Sequence, residues 1–185
     1  MRVIALTVGL LLAGGASAAP ASHADVGRIM QVLGMSGLGK NAARSLVGNV
    51  PQLQALDAAG RACAAEQTTV MMDRQFQQIV VDSLGADGQA LIKEWKVFLA
   101  TPAGVEMART FQATAAAMGG DSAAMGNAPS EASKREIAAF MGSPAFERFI
   151  GGFGDDSKLP EGIGQQLVDV LERECHIALD PEQIS

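Results

Sequence analysis

The sequence predicts an all-α fold, a single compact domain of about eight or nine short helices. Three observations predict it. Apolar residues recur three and four positions apart in almost every segment, the spacing of one helix face. The β-branched residues Val70 and Val80-Val81 sit in no period-two alternation, which a half-buried strand requires. Prolines stand at Pro51, Pro102, Pro144 and Pro160 where helices would begin, since a first-turn residue needs no N–H.

Residues 1–19, MRVIALTVGLLLAGGASAA, read as a secretory signal peptide. One Arg precedes an apolar run from Val3 to Ala13 that is too short to span a bilayer, and small residues then offer a cleavage site after Ala18 or Ala19. No Cys lies beside that site, so no lipid anchor is expected. The exported domain is then residues 20–185, periplasmic in a cell with an outer membrane.

Within it, Ser22 caps a helix that carries Val26, Ile29, Met30 and Leu33 on one face and stops at Gly34. Leu38, Ala42, Leu46 and Val47 place a second helix, and Pro51 opens a third that aligns Leu53, Leu56, Ala59 and Cys63. A helix with Met72, Phe76, Ile79, Val80 and Leu84 along one side follows. Asp87 is expected to cap the next, whose stripe is Leu91, Ile92, Trp95, Phe98 and Leu99. After a helix from Pro102, residues 119–130, GGDSAAMGNAPS, have linker composition. Helices resume at Ser130 or Glu131, at Pro144, and from Pro160 to Ile177.

One internal helical-hairpin repeat is expected. FLATPAGVEMARTF from Phe98 aligns without gaps on FMGSPAFERFIGGF from Phe140, with Thr101 over Ser143 and Pro102 over Pro144. Each copy ends a helix on an aromatic, turns at a hydroxyl that can accept an N–H of the next helix, and opens that helix with Pro.

The whole chain carries a net charge of −6, made more negative once Arg2 leaves with the signal. A chain so charged repels nucleic acid and anionic lipid, so neither is expected as a partner. Both cysteines, Cys63 and Cys175, fall in the exported part on apolar stripes. An even count in an oxidising compartment favours one bridge between them, and two separate buried thiols are the alternative.

The chemistry-bearing residues are sparse. GMSGLGKN, residues 34–41, matches a phosphate-binding loop except that Asn41 replaces the metal-ligating Ser or Thr. Because a helix and not a strand precedes it, the stretch reads as a glycine helix stop, a turn, and Lys40 on the next helix. His23 is isolated. Glu172 and His176 share a helix face without a third ligand, so a solvated pair at a helix end is the simpler reading and no metal or other cofactor is expected. Most methionines fill apolar stripes; Met118 and Met125 flank the linker as exposed candidates for partner contact. Asp155, Asp156 and Glu161 form an acidic turn suited to a basic partner.

The corner Phe98, Thr101, Pro102 and Gly104 resembles the motif of the bacterial family called domain of unknown function 2059, over roughly residues 67–125. Where members of that family usually carry a basic residue after the Gly, Val105-Glu106 follows. The resemblance implies an all-helical, non-enzymatic periplasmic protein. It further implies an immunity protein that neutralises a periplasm-active toxic effector by direct binding. A carrier that holds a small apolar ligand or lipid among its helices is the alternative.

Overall fold

The structure, a computed structural model, describes residues 18–118, 128–153 and 162–180. Residues 1–17 of the expected signal segment 1–19, and most of the linker, therefore lie outside the described residues.

Every described element is helical, and one helix organises the rest. After α1 (His23–Val32), α2 (Leu38–Asn49) and the single turn α3 (Pro51–Gln54), helix α4 runs from Ala58 to Leu84, 27 residues and about 40 Å long. It is followed by α5 (Gly88–Leu99), α6 (Pro102–Met118), α7 (Glu131–Met141), α8 (Pro144–Gly151) and α9 (Ile163–Cys175). A helix as long as α4 stays in one piece because neighbours cover it along its whole length. Its first half packs with α2, α3 and α9 around Leu53, Met72, Leu167 and Leu171. Its second half packs with α1, α5 and α8 around Trp95, Leu33, Leu84 and Phe149, a cluster to which α6 adds Ala103 and Met107. Phe76 touches both clusters and joins them through α4.

The expected third helix, from Pro51 through Cys63, is two elements. Asp57 is extended, with φ −67° and ψ 175°, and its carboxylate accepts the Gly60 N–H at 2.7 Å, which starts α4 afresh. Arg61 reaches back from α4 to the carbonyls of Gln54 and Leu56, so the end of α3 is satisfied without continuing the helix. Cys63 thus belongs to α4, and Cα of Cys63 and Cys175 lie 5.9 Å apart in a disulfide that joins α4 to the last turn of α9. Asp87 is a second correction. Its side chain caps nothing, because the chain enters α5 already coiled through a 3-10 turn at Gly85–Asp87.

The two proline corners share their turn chemistry. Thr101 Oγ1 accepts from Gly104 N at 3.0 Å and Ser143 Oγ from Phe146 N at 3.3 Å, each ahead of a helix opened by Pro102 or Pro144. The rings of Phe98 and Phe140, one from each corner, stack with centroids 3.9 Å apart. The likeness stops there: α6 has 17 residues and α8 has eight, and Phe146 stands where the first corner has Gly104.

Helix α9 ends at Cys175, short of Ile177. His176 takes a left-handed conformation, φ 57°, with the Ile177 N–H bonded to the Leu171 carbonyl, and this backbone turn closes the helix. His176 therefore leaves the helical face it was expected to share with Glu172, and no ion pair joins the two.

Candidate functional site

The start of α2 decides what the glycine-rich stretch does. Gly34 has φ 76° and ends α1, and residues 35–37 form a 3-10 turn that leads straight into α2. Gly37, at the cap position, has no side chain to offer, so the first N–H groups of α2 look elsewhere for acceptors. Asp73 on α4 supplies one by accepting the Gly39 N–H. The approach is so close that a Cβ on Gly39 would lie 2.1 Å from Asp73 Oδ1. The place where a bound phosphate would need to sit is filled by a carboxylate, and the element before the loop is a helix. Both features argue against nucleotide binding at this loop.

Burial pushes the Asp73 carboxyl above its ordinary value, and the hydrogen bond from Gly39 opposes that shift. The folded chain therefore holds this proton more tightly than the unfolded chain. The stabilisation is full below the ordinary aspartate range and is lost as pH rises through the raised value. Asp25 behaves oppositely. The Lys96 ammonium, 2.6 Å away, holds its carboxyl low, so its contribution is present near neutrality and is lost as pH falls through the lowered value. Gly39→Ala is expected to cost about 1–3 kcal/mol, the usual range for forcing atoms into a filled space. In an Asp73→Ala background the same change is expected to cost markedly less, because the clashing carboxylate is gone. Thermal melts of the four proteins check this, and an equal cost in both backgrounds would contradict it.

Gly39 and Ala43 face α4 and let the two helices approach closely, while the outer sides of both helices form the walls of a trough of about 750 Å³. The helices are antiparallel. Gly39, near the start of α2, meets Asp73, whereas the Gly48 carbonyl near its end accepts from Gln54 Nε2, and Gln54 lies beside Arg61. Ala43, Val47, Ala65 and Val70 give the trough its apolar floor and walls. Thr69, also in the lining, donates its hydroxyl to the Ala65 carbonyl at 2.7 Å. Lys40, Arg44 and Arg61 stand along it with one acid, Glu66. Lys40 is exposed and has no side-chain partner among the described residues, while Arg44 holds only Asn41, at 3.4 Å.

A second groove, of about 470 Å³, lies between α4 and α9, and some of its polar side chains are paired with one another. Gln75 Nε2 donates to Gln166 Oε1 at 2.7 Å, and Arg173 pairs with Glu174 at 2.8 Å.

Of the candidates read from sequence, Asp155, Asp156, Glu161 and Met125 lie outside the described residues, as does the side chain of Met118 at the end of α6. Phe98, Thr101, Pro102, Gly104, Phe140, Ser143 and Pro144 form corner and core, and none of them lines the trough. The two histidines are far apart. His23 Nε2 donates to Gln78 Oε1 at 2.8 Å, while His176 follows the cysteine bonded to Cys63, so about 22 Å of α4 separates them. Among the described residues no group of three or more His, Cys, Asp and Glu could hold a metal ion. Arg44 and Arg61 match no sequence motif; the one signal for Arg44 is that α2 carries two cations one turn apart and no acid, and Arg61 on α4 has none.

Comparison of the chain with protein-family models, with curated proteins and with solved structures finds no match.

Proposed function

We propose that this protein is an exported, non-catalytic binding protein that neutralises a toxic effector in the periplasm by covering its surface, and that it binds through the trough between α2 and α4. The observation that carries the binding reading is the trough itself: an open apolar floor flanked by three cations, on a chain whose net charge is −6. Local charge opposite to the global charge is what a surface selective for one kind of partner requires. The immunity role and the periplasm come from the resemblance carried by Phe98, Thr101, Pro102 and Gly104. The Cys63–Cys175 bridge suits an oxidising compartment, and no described helix is long and apolar enough to cross a membrane. Separation of the two histidines favours occupancy over acid–base chemistry as the means of neutralisation.

The test is co-expression of the chain with the exported product of each adjacent open reading frame. Neutralisation by binding predicts protection that rises with the ratio of protein to toxin, saturates at a fixed complex, and survives His23→Ala with His176→Ala. Protection at far below one equivalent, or its loss in the double histidine variant with the complex intact, would contradict binding alone.

The size of the trough supports a second reading, carriage of a small apolar ligand, since small-molecule sites occupy about 300–1,000 Å³. Mass spectrometry of organic extracts of the purified protein separates the two, because only a carrier yields a stoichiometric lipid.

A further inference from the structure

We infer that the occupant of the α2–α4 trough is an acidic amphipathic helix of a partner protein. The inference rests on the binding reading above and assigns its chemistry.

Three features of the trough argue for a helix over a single-headed amphiphile. The first is the distribution of charge. Lys40 lies near the start of α2, Arg44 one turn further on, and Arg61 at the opposite end beside Gln54, so the cations follow the length of the trough. A fatty acid or phosphate ester places all its charge at one end and would leave the other cations beside an acyl chain. A helix can present a carboxylate at every turn.

The second feature is the floor. Ala43, Ala65 and Gly48 are small, and Val70 remains 41 % exposed, so the surface has room for large apolar side chains and an unmet apolar contact of its own. The walls run from Lys40 to Gly48 and from Arg61 to Val70, about 12–14 Å at 1.5 Å per residue. That length receives two to three turns of helix, enough for apolar anchors at i, i+3, i+4 and i+7.

The third feature is readiness. Arg61 is already oriented, because its Nη1 group holds the carbonyls of Gln54 and Leu56 and its other N–H groups remain to take a carboxylate. No acid lies anywhere in α2, and Glu66 is the one acidic residue lining the trough, placed to repel a carboxylate beside it.

The test uses two fluorescent, helix-stapled peptides of about three turns with Leu at the four anchor positions, one flanked by Glu and the other by Lys, with laurate as a third probe. Fluorescence anisotropy and calorimetry are run on the disulfide-bonded chain. The Glu peptide is expected to bind at least tenfold more tightly than the Lys peptide, and to weaken with added salt. Arg44→Glu is expected to reduce its affinity tenfold or more, and Glu66→Gln to raise it. Circular dichroism verifies that these exposed-site variants stay folded.

Equal binding of the two peptides, no binding of the Glu peptide at millimolar concentration, or indifference to Arg44→Glu would overturn the inference. Laurate binding that depends on Arg44 while the Glu peptide fails would also overturn the helix assignment, yet would leave the trough as the binding site. Toxin neutralisation undiminished in Arg44→Glu with Val47→Asp would instead remove the trough from the proposed function.

Discussion

Replacing Cys63 and Cys175 together by serine is expected to lower the stability of the chain by about 3 kcal/mol and its melting temperature by roughly 6–12 °C. The bridge joins positions 112 apart, and in the chain-entropy model a loop of that size approaches 5 kcal/mol, with measured bridges typically at 2–4. Its location concentrates the effect. Beyond Leu167, Val168 and Leu171, the end of α9 is held by the bridge and by Ile177 and Leu179, which sit in the cluster around Leu53. Without the bridge, residues 172–180 are expected to fray first and to lose amide protection before the rest of α9. Calorimetry of the double variant, with hydrogen exchange, measures both effects. Thiol titration of the denatured, unreduced wild-type chain is expected to find no free thiol. Two titratable thiols, or a double variant that melts with the wild type, would contradict this account.

That bridge is legible in the amino-acid sequence from cysteine parity and from the apolar stripe of α9, although the stripe expected for Cys63 runs across the break at Asp57. Helix identity is legible for a similar reason: Val26, Ile29, Met30 and Leu33 bury one face, and only an α-helix brings those four positions together. The break at Asp57 is hidden because Ala55, Ala58 and Ala59 favour helix on both sides of it. What overrides them is a tertiary detail, the Arg61 guanidinium satisfying the end of α3. The trough is not legible at all. Lys40 and Arg61 stand on different helices at opposite ends of the trough, and their lining one surface depends on Gly39 and Ala43 allowing a close antiparallel approach, which no local pattern records.

The trough and the aromatic cluster sit on different halves of α4, so stability and binding are separable by mutation. Cys63 and the trough residue Arg61 belong to the first half, Val80 and Leu84 to the second. Phe76, in contact with both clusters, makes α4 the element through which loss of one weakens the other. A single cooperative transition is therefore expected, with the fluorescence of the chain's one tryptophan and the helical circular dichroism changing together in the disulfide-free variant.

Trp95→Ala is expected to be the most damaging single substitution, at about 3–5 kcal/mol, or a fall of roughly 6–20 °C in melting temperature. Trp95 is fully buried, with ring centroids of Phe140, Phe149 and Phe146 at 4.8, 4.9 and 5.8 Å, and its indole N–H donates to the Ala145 carbonyl at 2.8 Å. Two effects are lost together, and their sizes differ. The hydrogen bond contributes about 0.5–1.5 kcal/mol net, whereas removing the ring opens a cavity where α5, α7 and α8 meet and takes away the support beneath the Phe98–Phe140 stack. Packing should dominate. Trp95→Phe, which keeps one ring and loses the N–H, is then expected to cost much less than Trp95→Ala, about 1–2 kcal/mol. Urea denaturation followed by circular dichroism measures both variants, and equal losses would mean that the bond to Ala145 holds the corner. Below its own melting temperature, Trp95→Ala should still bind the Glu peptide with wild-type affinity, because no trough residue touches the aromatic cluster.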